Sequence, residues 1–378
     1  MRVIIKIGSR VLTNEDKSMN DQVLSSLVDE VCLMSQTQEI EFVVVTSGAV
    51  SIGRSSFNQK TLRVKRTIDL GYSRRLLEDQ VLAAIGQPKL MAHYINKFAE
   101  HDIECAQILV TRYDFADRDR YLSLKVVTDN LLDHGVIPIF NENDVLSPEE
   151  LDHDFSDNDQ LASMVGAMVG ADKIIVLTNV EGLYDGQVGK PGSKVIPVID
   201  NPMEFIDRVD DSESHGKGGM LSKLRTANRV SLLGIDMHIA SGSMQSILSR
   251  IIGGEQVGTL IPAQRKKQHG LKNWMAVAAI CQGKIVVSTW ISDILRENKK
   301  KASILLIGVE SIQGDFTEGD VIEVLDIDGK LLGKGKVLYP AVELSNAVSQ
   351  FKGQSEQDRS KWPNADRIVI HCDYFVHC

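Results

Sequence analysis

No cysteine in this 378-residue chain belongs to a CxxC pair. The five that occur, Cys32, Cys105, Cys281, Cys372 and Cys378, are odd in number and scattered. That pattern excludes a zinc ribbon and a disulfide framework, and it fits a reducing compartment. No apolar run approaches the ~20 residues that cross a bilayer as a helix. The chain runs from Met1-Arg2 straight into a strand-like segment at residues 3–7, without the apolar core and cleavage site of a secretory leader. A cytoplasmic location without membrane contact is therefore expected. An excess of basic charge is also lacking: 42 Lys and Arg against 51 Asp and Glu give a formal net charge of −9 and no overall footprint for nucleic acid. There is no internal repeat and no GxxxxGK[ST] phosphate loop. What is present is an ordinary soluble composition, 43% hydrophobic and 25% charged, with room for two domains and a sizeable core.

The most informative stretch spans residues 137–186. It reads IPIFNENDVL, an acidic insert, DFSDNDQLASMVGAMVGA and DKIIVLTNVEGLYDG. Apolar, β-branched runs at 136–140 and 174–177 predict buried parallel strands. Each ends in polar residues, Asn141-Glu142-Asn143-Asp144 after the first and Thr178-Asn179 after the second. Ligands of open α/β sheets bind off the carboxyl ends of strands. Between the two runs, Asp157-Asn158-Asp159 precedes a small and apolar helix at 161–169. Asp and Asn can cap that helix, and they can also turn N–H groups and carboxylates toward a ligand.

The same grammar recurs elsewhere. Residues 2–12, RVIIKIGSRVL, read as a strand broken by Gly8. Lys6 lies inside its apolar run, so it pairs with a carboxylate, faces an anion, or snorkels from an edge strand. Gly8-Ser9-Arg10 offers a tight turn suited to phosphate. Residues 21–37 carry helical spacing and 41–45 a second strand. That strand ends in Thr46-Ser47-Gly48-Ala49, either a ligand-facing turn or a plain β–α turn. The basic segment 54–76 reads as a solvated loop. A helix centred on 83–87, a strand at 103–109 and a helix opened by Arg118, Arg120 and Tyr121 follow. Gly216-Lys217-Gly218-Gly219-Met220, with Lys223 a turn later, is either a phosphate cradle or a flexible loop before a surface helix. Residues 235–240 supply another strand. The polar run 262–273 marks a boundary, beyond which short β segments at 283–287, 304–309, 321–325 and 334–338 predict a small all-β barrel. Residues 367–371 read as a last strand.

The predicted architecture is thus an α/β domain over 1–262, with a largely parallel sheet sandwiched by helices. A small β domain follows over 274–350, and a tail over 351–378 packs on or completes it. Lysines and glycine turns for phosphate, carboxylates and positioned polar groups all fall at strand ends or helix starts. Phosphoryl transfer needs that combination.

The segments KIGSRVL, VVTSGAVSIGR, AAIGQ, RDRYLSLKVVTDNLL, VIPIFNENDVL, FSDNDQLASMVGAMVGADKIIVLTNVEGLY and GKGGMLSK, in that order, resemble the glutamate 5-kinase branch of the amino acid kinase family. The last part of the chain is similar to the PUA domain that bacterial members often carry. The resemblance implies ATP-dependent phosphorylation of the side-chain carboxylate of L-glutamate, the first step of proline biosynthesis. It implies a catalytic set of Lys6, Lys223, Asp157 and Asp159. ATP would lie on Lys6, Gly8, Ser9, Thr178, Asn179, Lys217, Gly218, Gly219, Met220 and Lys223. Glutamate would lie on Ser47, Gly48, Asp144 and Asn158. Mg²⁺ would be bound mainly through the ATP phosphates, with no direct protein ligand. Feedback inhibition by proline and a homo-oligomer, dimer or tetramer, are further implications.

Four features depart from the family pattern: Arg10 in the first turn, Asn179 where aspartate is usual, Lys217 in place of threonine, and a longer basic segment at 54–76. Two alternatives stand beside this reading. One is a related kinase acting on acetylglutamate or aspartate, against which the NEND and SDND segments argue. The other is RNA binding through the PUA-like part. Eight Lys/Arg against ten Asp/Glu between Trp274 and Gln350, a net −2, weigh against RNA, although Lys299-Lys300-Lys301 form a local basic run.

Overall fold

The computed structural model describes residues 1–57, 74–146, 158–188, 190–206, 219–264, 270–297, 302–354 and 366–377. These fall into two compact units, Met1–Lys267 and Gln268–Cys378.

The first unit runs β1 (Arg2–Ile7), α1 (Ser9–Leu12), α2 (Asp21–Thr37), β2 (Glu41–Val45), α3 (Ala49–Ser56), α4 (Arg74–Ala99), β3 (Cys105–Val110), α5 (Arg112–Ala116), α6 (Arg118–Asp133), β4 (Ile137–Glu142), α7 (Asn158–Val169), β5 (Lys173–Thr178), α8 (Met203–Ile206), α9 (Met220–Ser231), β6 (Asp236–Ser241), α10 (Ile247–Ile252) and β7 (Thr259–Ile261). Seven strands form one sheet in the order β3-β4-β2-β1-β5-β6-β7. Every neighbouring pair is parallel except β6 and β7. The central strands are sealed on both faces. Val3, Ile4 and Ile5, Phe42 to Val45 and Ile174 to Leu177 are all at most 2% exposed, as helices on both sides of a parallel sheet require.

The helices follow their apolar spacing. In α2, Leu24, Leu27, Val28 and Val31 are buried, and Asn20 caps the helix by accepting from the Val23 N–H. The small residues of α7 let it lie close on the sheet: a Cβ at Gly166 would sit 2.9 Å from Ile174 Cδ1.

The structure differs from the sequence reading at element edges. The 2–12 run is not one strand. It ends at Ile7, and Ser9–Leu12 turns as a short helix that buries Val11 and Leu12. The basic segment is shorter as a loop than 54–76, because Arg54 still lies in α3 and Arg74 already opens α4; residues 58–73 are outside the described set. The short edge strand β7 was not read from the sequence.

The second unit contains α11 (Leu271–Val277), β8 (Gly283–Val287), α12 (Thr289–Glu297), β9 (Ile304–Leu305), β10 (Val309–Gly314), β11 (Val321–Leu325), β12 (Leu331–Lys336), α13 (Ala341–Lys352), β13 (Ile368–Ile370) and β14 (Phe375–His377). Five strands pair in the order β10-β8-β11-β12-β14, and β13 pairs with β9. All are antiparallel except β8 with β11. The predicted strand at 304–309 is interrupted by a 3₁₀ turn at Leu306–Gly308. Helices α12 and α13 complete the core, with Ile291, Leu295, Leu344 and Val348 packed beside Ile285, Ile322 and Val324. Among the described residues no helix is long and apolar enough to cross a membrane.

Candidate active site

The carboxyl ends of β1, β2, β4 and β5 are neighbours, and most of the residues singled out from the sequence lie there. Lys6 is near the end of β1 and only 5% exposed. Its Nζ lies 2.6 Å from Asp159 Oδ1. The other oxygen of that carboxylate lies 2.9 Å from Lys223 Nζ. Asp159 is fully buried and Lys223 is 6% exposed.

Each charge has a local reason to be there. Asp159 is in the first turn of α7, where the helix dipole favours a carboxylate. Lys223 is on the inward face of α9 with Leu224, Ala227 and Val230. Within this trio two ammonium groups share one carboxylate, so the three side chains sum to +1, a balance that suits an anionic ligand.

A second, uncharged constellation adjoins the first. Asn158, one residue before Asp159, donates from Nδ2 to Thr46 O at 2.8 Å, Ser47 Oγ at 3.0 Å and Asn141 Oδ1 at 3.2 Å. Asn141 donates in turn to Gln87 Oε1 at 2.8 Å. Thr46 Oγ1 lies 2.9 Å from the Tyr94 hydroxyl, whose burial pushes its pKa well above the usual phenol value and keeps it neutral. Gly48 opens α3 at φ +105°, a left-handed conformation open to glycine at little cost. Asp144 is half-buried just past β4, in a turn anchored by Asn143 N–H on Val110 O at 2.8 Å.

On the other flank, Gly8 N–H donates to Leu177 O at 3.1 Å, so that N–H is already engaged. Ser9 starts α1. Thr178 is half-buried and Asn179 exposed at the end of β5, with Thr178 Oγ1 3.3 Å from Asn179 Oδ1. Gly219 precedes α9 and Met220 begins it. Asp157, Lys217 and Gly218 lie outside the described residues. Sequence reasoning gave no role to Gln87 or Asn141. The signals were there: Asn141 is the first polar residue after the apolar run of β4, and Gln87 follows the glycine of AAIGQ.

Residues 1–241 match the amino acid kinase family and residues 283–356 the PUA domain. Glutamate 5-kinases align over almost the whole chain. The one from Oceanobacillus iheyensis is 37% identical over 99% of this chain and 96% of its own. That from Chlorobaculum tepidum is 35% identical over 92% and 93%.

The chain belongs to the amino acid kinase family, in its glutamate 5-kinase branch.

A UMP kinase from Bacillus anthracis is among the similar solved structures, with a TM-score of 0.48 and 17% identity over 70% of this chain and 96% of its own. As an amino acid kinase with a PUA domain, the protein keeps its lysine–aspartate–lysine cluster entirely inside the kinase unit. Arg10 and Asn179, the departures from the family pattern that the structure describes, are both exposed.

Proposed function

We propose that the protein transfers the γ-phosphoryl group of ATP to the side-chain carboxylate of L-glutamate, giving L-glutamyl 5-phosphate, the first step of proline biosynthesis. The observation that carries this reading is the buried Asp159 carboxylate holding Lys6 and Lys223 at the carboxyl ends of the strands. The acceptor carboxylate is ionised at neutral pH, so the reaction needs no base. The barrier is the approach of two anions and the shift of charge toward the leaving diphosphate. Fixed ammonium groups lower both. Asp159 sets their positions, and Lys223 takes the charge that develops on the bridging and β oxygens.

In this reading Ser47, Gly48, Asp144 and Asn158 face the amino acid. Gly8, Ser9, Thr178, Asn179, Gly219 and Met220 face the nucleotide, with Asp157, Lys217 and Gly218 assigned on resemblance. Both oxygens of Asp159 are ion-paired, which suits Mg²⁺ entering on the ATP phosphates, where it neutralises their charge, rather than on this carboxylate. Proline shares the α-carboxylate and amino nitrogen of glutamate, and the proposal includes its competition at the same pocket. Self-association as a dimer or tetramer and a cytoplasmic setting complete the reading.

The test is ATP consumption with glutamate, N-acetylglutamate and aspartate as alternative acceptors. Glutamate should give the highest kcat/KM, and proline should raise the apparent KM for glutamate. Preference for either other acceptor overturns the assignment.

A further inference from the structure

The amide groups beside the lysine pair are oriented by a single main-chain oxygen. Thr46 O can only accept, so the atom of Asn158 that meets it at 2.8 Å is the nitrogen. That nitrogen also faces Asn141, which must present its oxygen. The Asn141 nitrogen therefore points to Gln87, which must also present oxygen. Every amide in the row has one orientation. One donor and one acceptor are left over. Gln87 Nε2 and Asn158 Oδ1 are buried and have no hydrogen-bond partner among the described residues. Gln87 as a whole is 9% exposed and Asn141 2%. An unpaired buried amide atom costs roughly 1–3 kcal/mol, so two at the ends of one row are a standing demand for a ligand.

The backbone is built to hold Gln87 there. A Cβ on the preceding residue, Gly86, would lie 1.8 Å from Ala49 O, and one on Gly53 would lie 2.0 Å from Leu82 O. Helices α3 and α4 thus cross at near-backbone contact, which brings α4 against the turn after β2.

We infer that Gln87 is a substrate-reading residue: its Nε2 donates to the α-carboxylate of an amino-acid acceptor whose ammonium is taken by Asn158 Oδ1. The polarity decides the class of ligand. A spare donor suits a carboxylate and a spare acceptor suits an ammonium, so the row fits a zwitterion. Asn158 adjoins Asp159 and its lysines, whereas Gln87 is at the far end. The far carboxylate is therefore the α-carboxylate, with the side chain directed toward the phosphate. Asn141 touches neither group and acts as a positioning residue. This inference rests on the glutamate kinase reading above.

Gln87→Glu tests it. The variant keeps an oxygen for Asn141 and replaces the donor by an anion. The KM for glutamate should rise about tenfold or more, with a smaller fall in kcat, the mark of an interaction made equally in ground and transition states. The KM for ATP should stay close to the parent value, and a cooperative melt, at a lowered temperature because the new carboxylate is buried, shows that the variant is folded. Gln87→Met, which has neither donor nor acceptor, should raise the same KM and serves as the deciding variant if Gln87→Glu does not fold. An unchanged KM for glutamate in a folded variant overturns the inference while leaving the kinase reading intact. Absence of glutamate-dependent ATP consumption in the parent protein overturns the reading itself.

Discussion

At the residue scale the decisive object is Asp159. Its two oxygens hold Lys6 and Lys223, so the three side chains carry a net charge of +1. Charge counting then separates variants that look alike. Lys223→Met leaves one cation on one anion, so the melting temperature should change little. Its kcat should fall about a hundredfold, the scale of a lost transition-state donor. Asp159→Asn leaves two buried ammonium groups without that carboxylate and should cost about 3–5 kcal/mol of stability. Asp144→Asn, on the acceptor side, should raise the KM for glutamate more than it lowers kcat. Steady-state kinetics with melting curves decide all three. If Lys223→Met altered only the KM for glutamate, the division of roles would be wrong. Lys6 and Lys223 were legible in the sequence, because a lysine in an apolar strand and a lysine after a glycine cluster are both conspicuous. Their shared carboxylate, Asp159, stood with them in the catalytic set that the resemblance implies, but the residues alone could not assign it as the partner of both lysines. Nothing in local spacing says which of Asp144, Asp157 or Asp159 turns inward. Gln87 was less legible still, since a polar residue inside a long helix announces no partner.

At the element scale the parallel strands were read well, because β-branched runs buried on both faces have few alternatives. What the sequence did not specify was how closely α3 and α4 approach. That depends on two glycines, Gly53 and Gly86, meeting backbone oxygens in the other helix. Gly86→Ala tests the crossing. Within a helix, alanine in place of glycine ordinarily stabilises by up to about 1 kcal/mol. Here the new methyl would meet Ala49 O at 1.8 Å, so the helices must separate. A net loss of about 1–3 kcal/mol is expected, together with a raised KM for glutamate as Gln87 is drawn from Asn141. A stabilised variant with parental kinetics would show that the helices are free to part. The same kind of tertiary demand explains α1. Val11 and Leu12 continue an apolar run that reads as strand, yet one helical turn puts both into the core.

At the scale of the whole molecule, the chain divides where its composition changes. The core of the first unit gathers Val3, Ile5, Leu27, Phe42, Tyr94 and Ile175. That of the second gathers Ile285, Ile322, Val324, Leu344, Val369 and Phe375. No residue belongs to both clusters. The division between the units, after Lys267, falls within the polar run 262–273. The helices of the second unit were missed, since their apolar residues come in short segments that also suit strands. Every described residue of the candidate site lies before Lys267. A protein ending at Lys267 should therefore unfold in one cooperative transition and keep its glutamate-dependent kcat within a few-fold of the full chain, because the charges and amides that bind and react are all retained. Thermal melting followed by ATP-consumption assays on the same preparation is the measurement. A fragment that melts cooperatively yet turns over glutamate a hundredfold more slowly would mean that the second unit supplies something the chemistry needs. A fragment with parental turnover but altered response to proline would instead assign the second unit to control of the pocket.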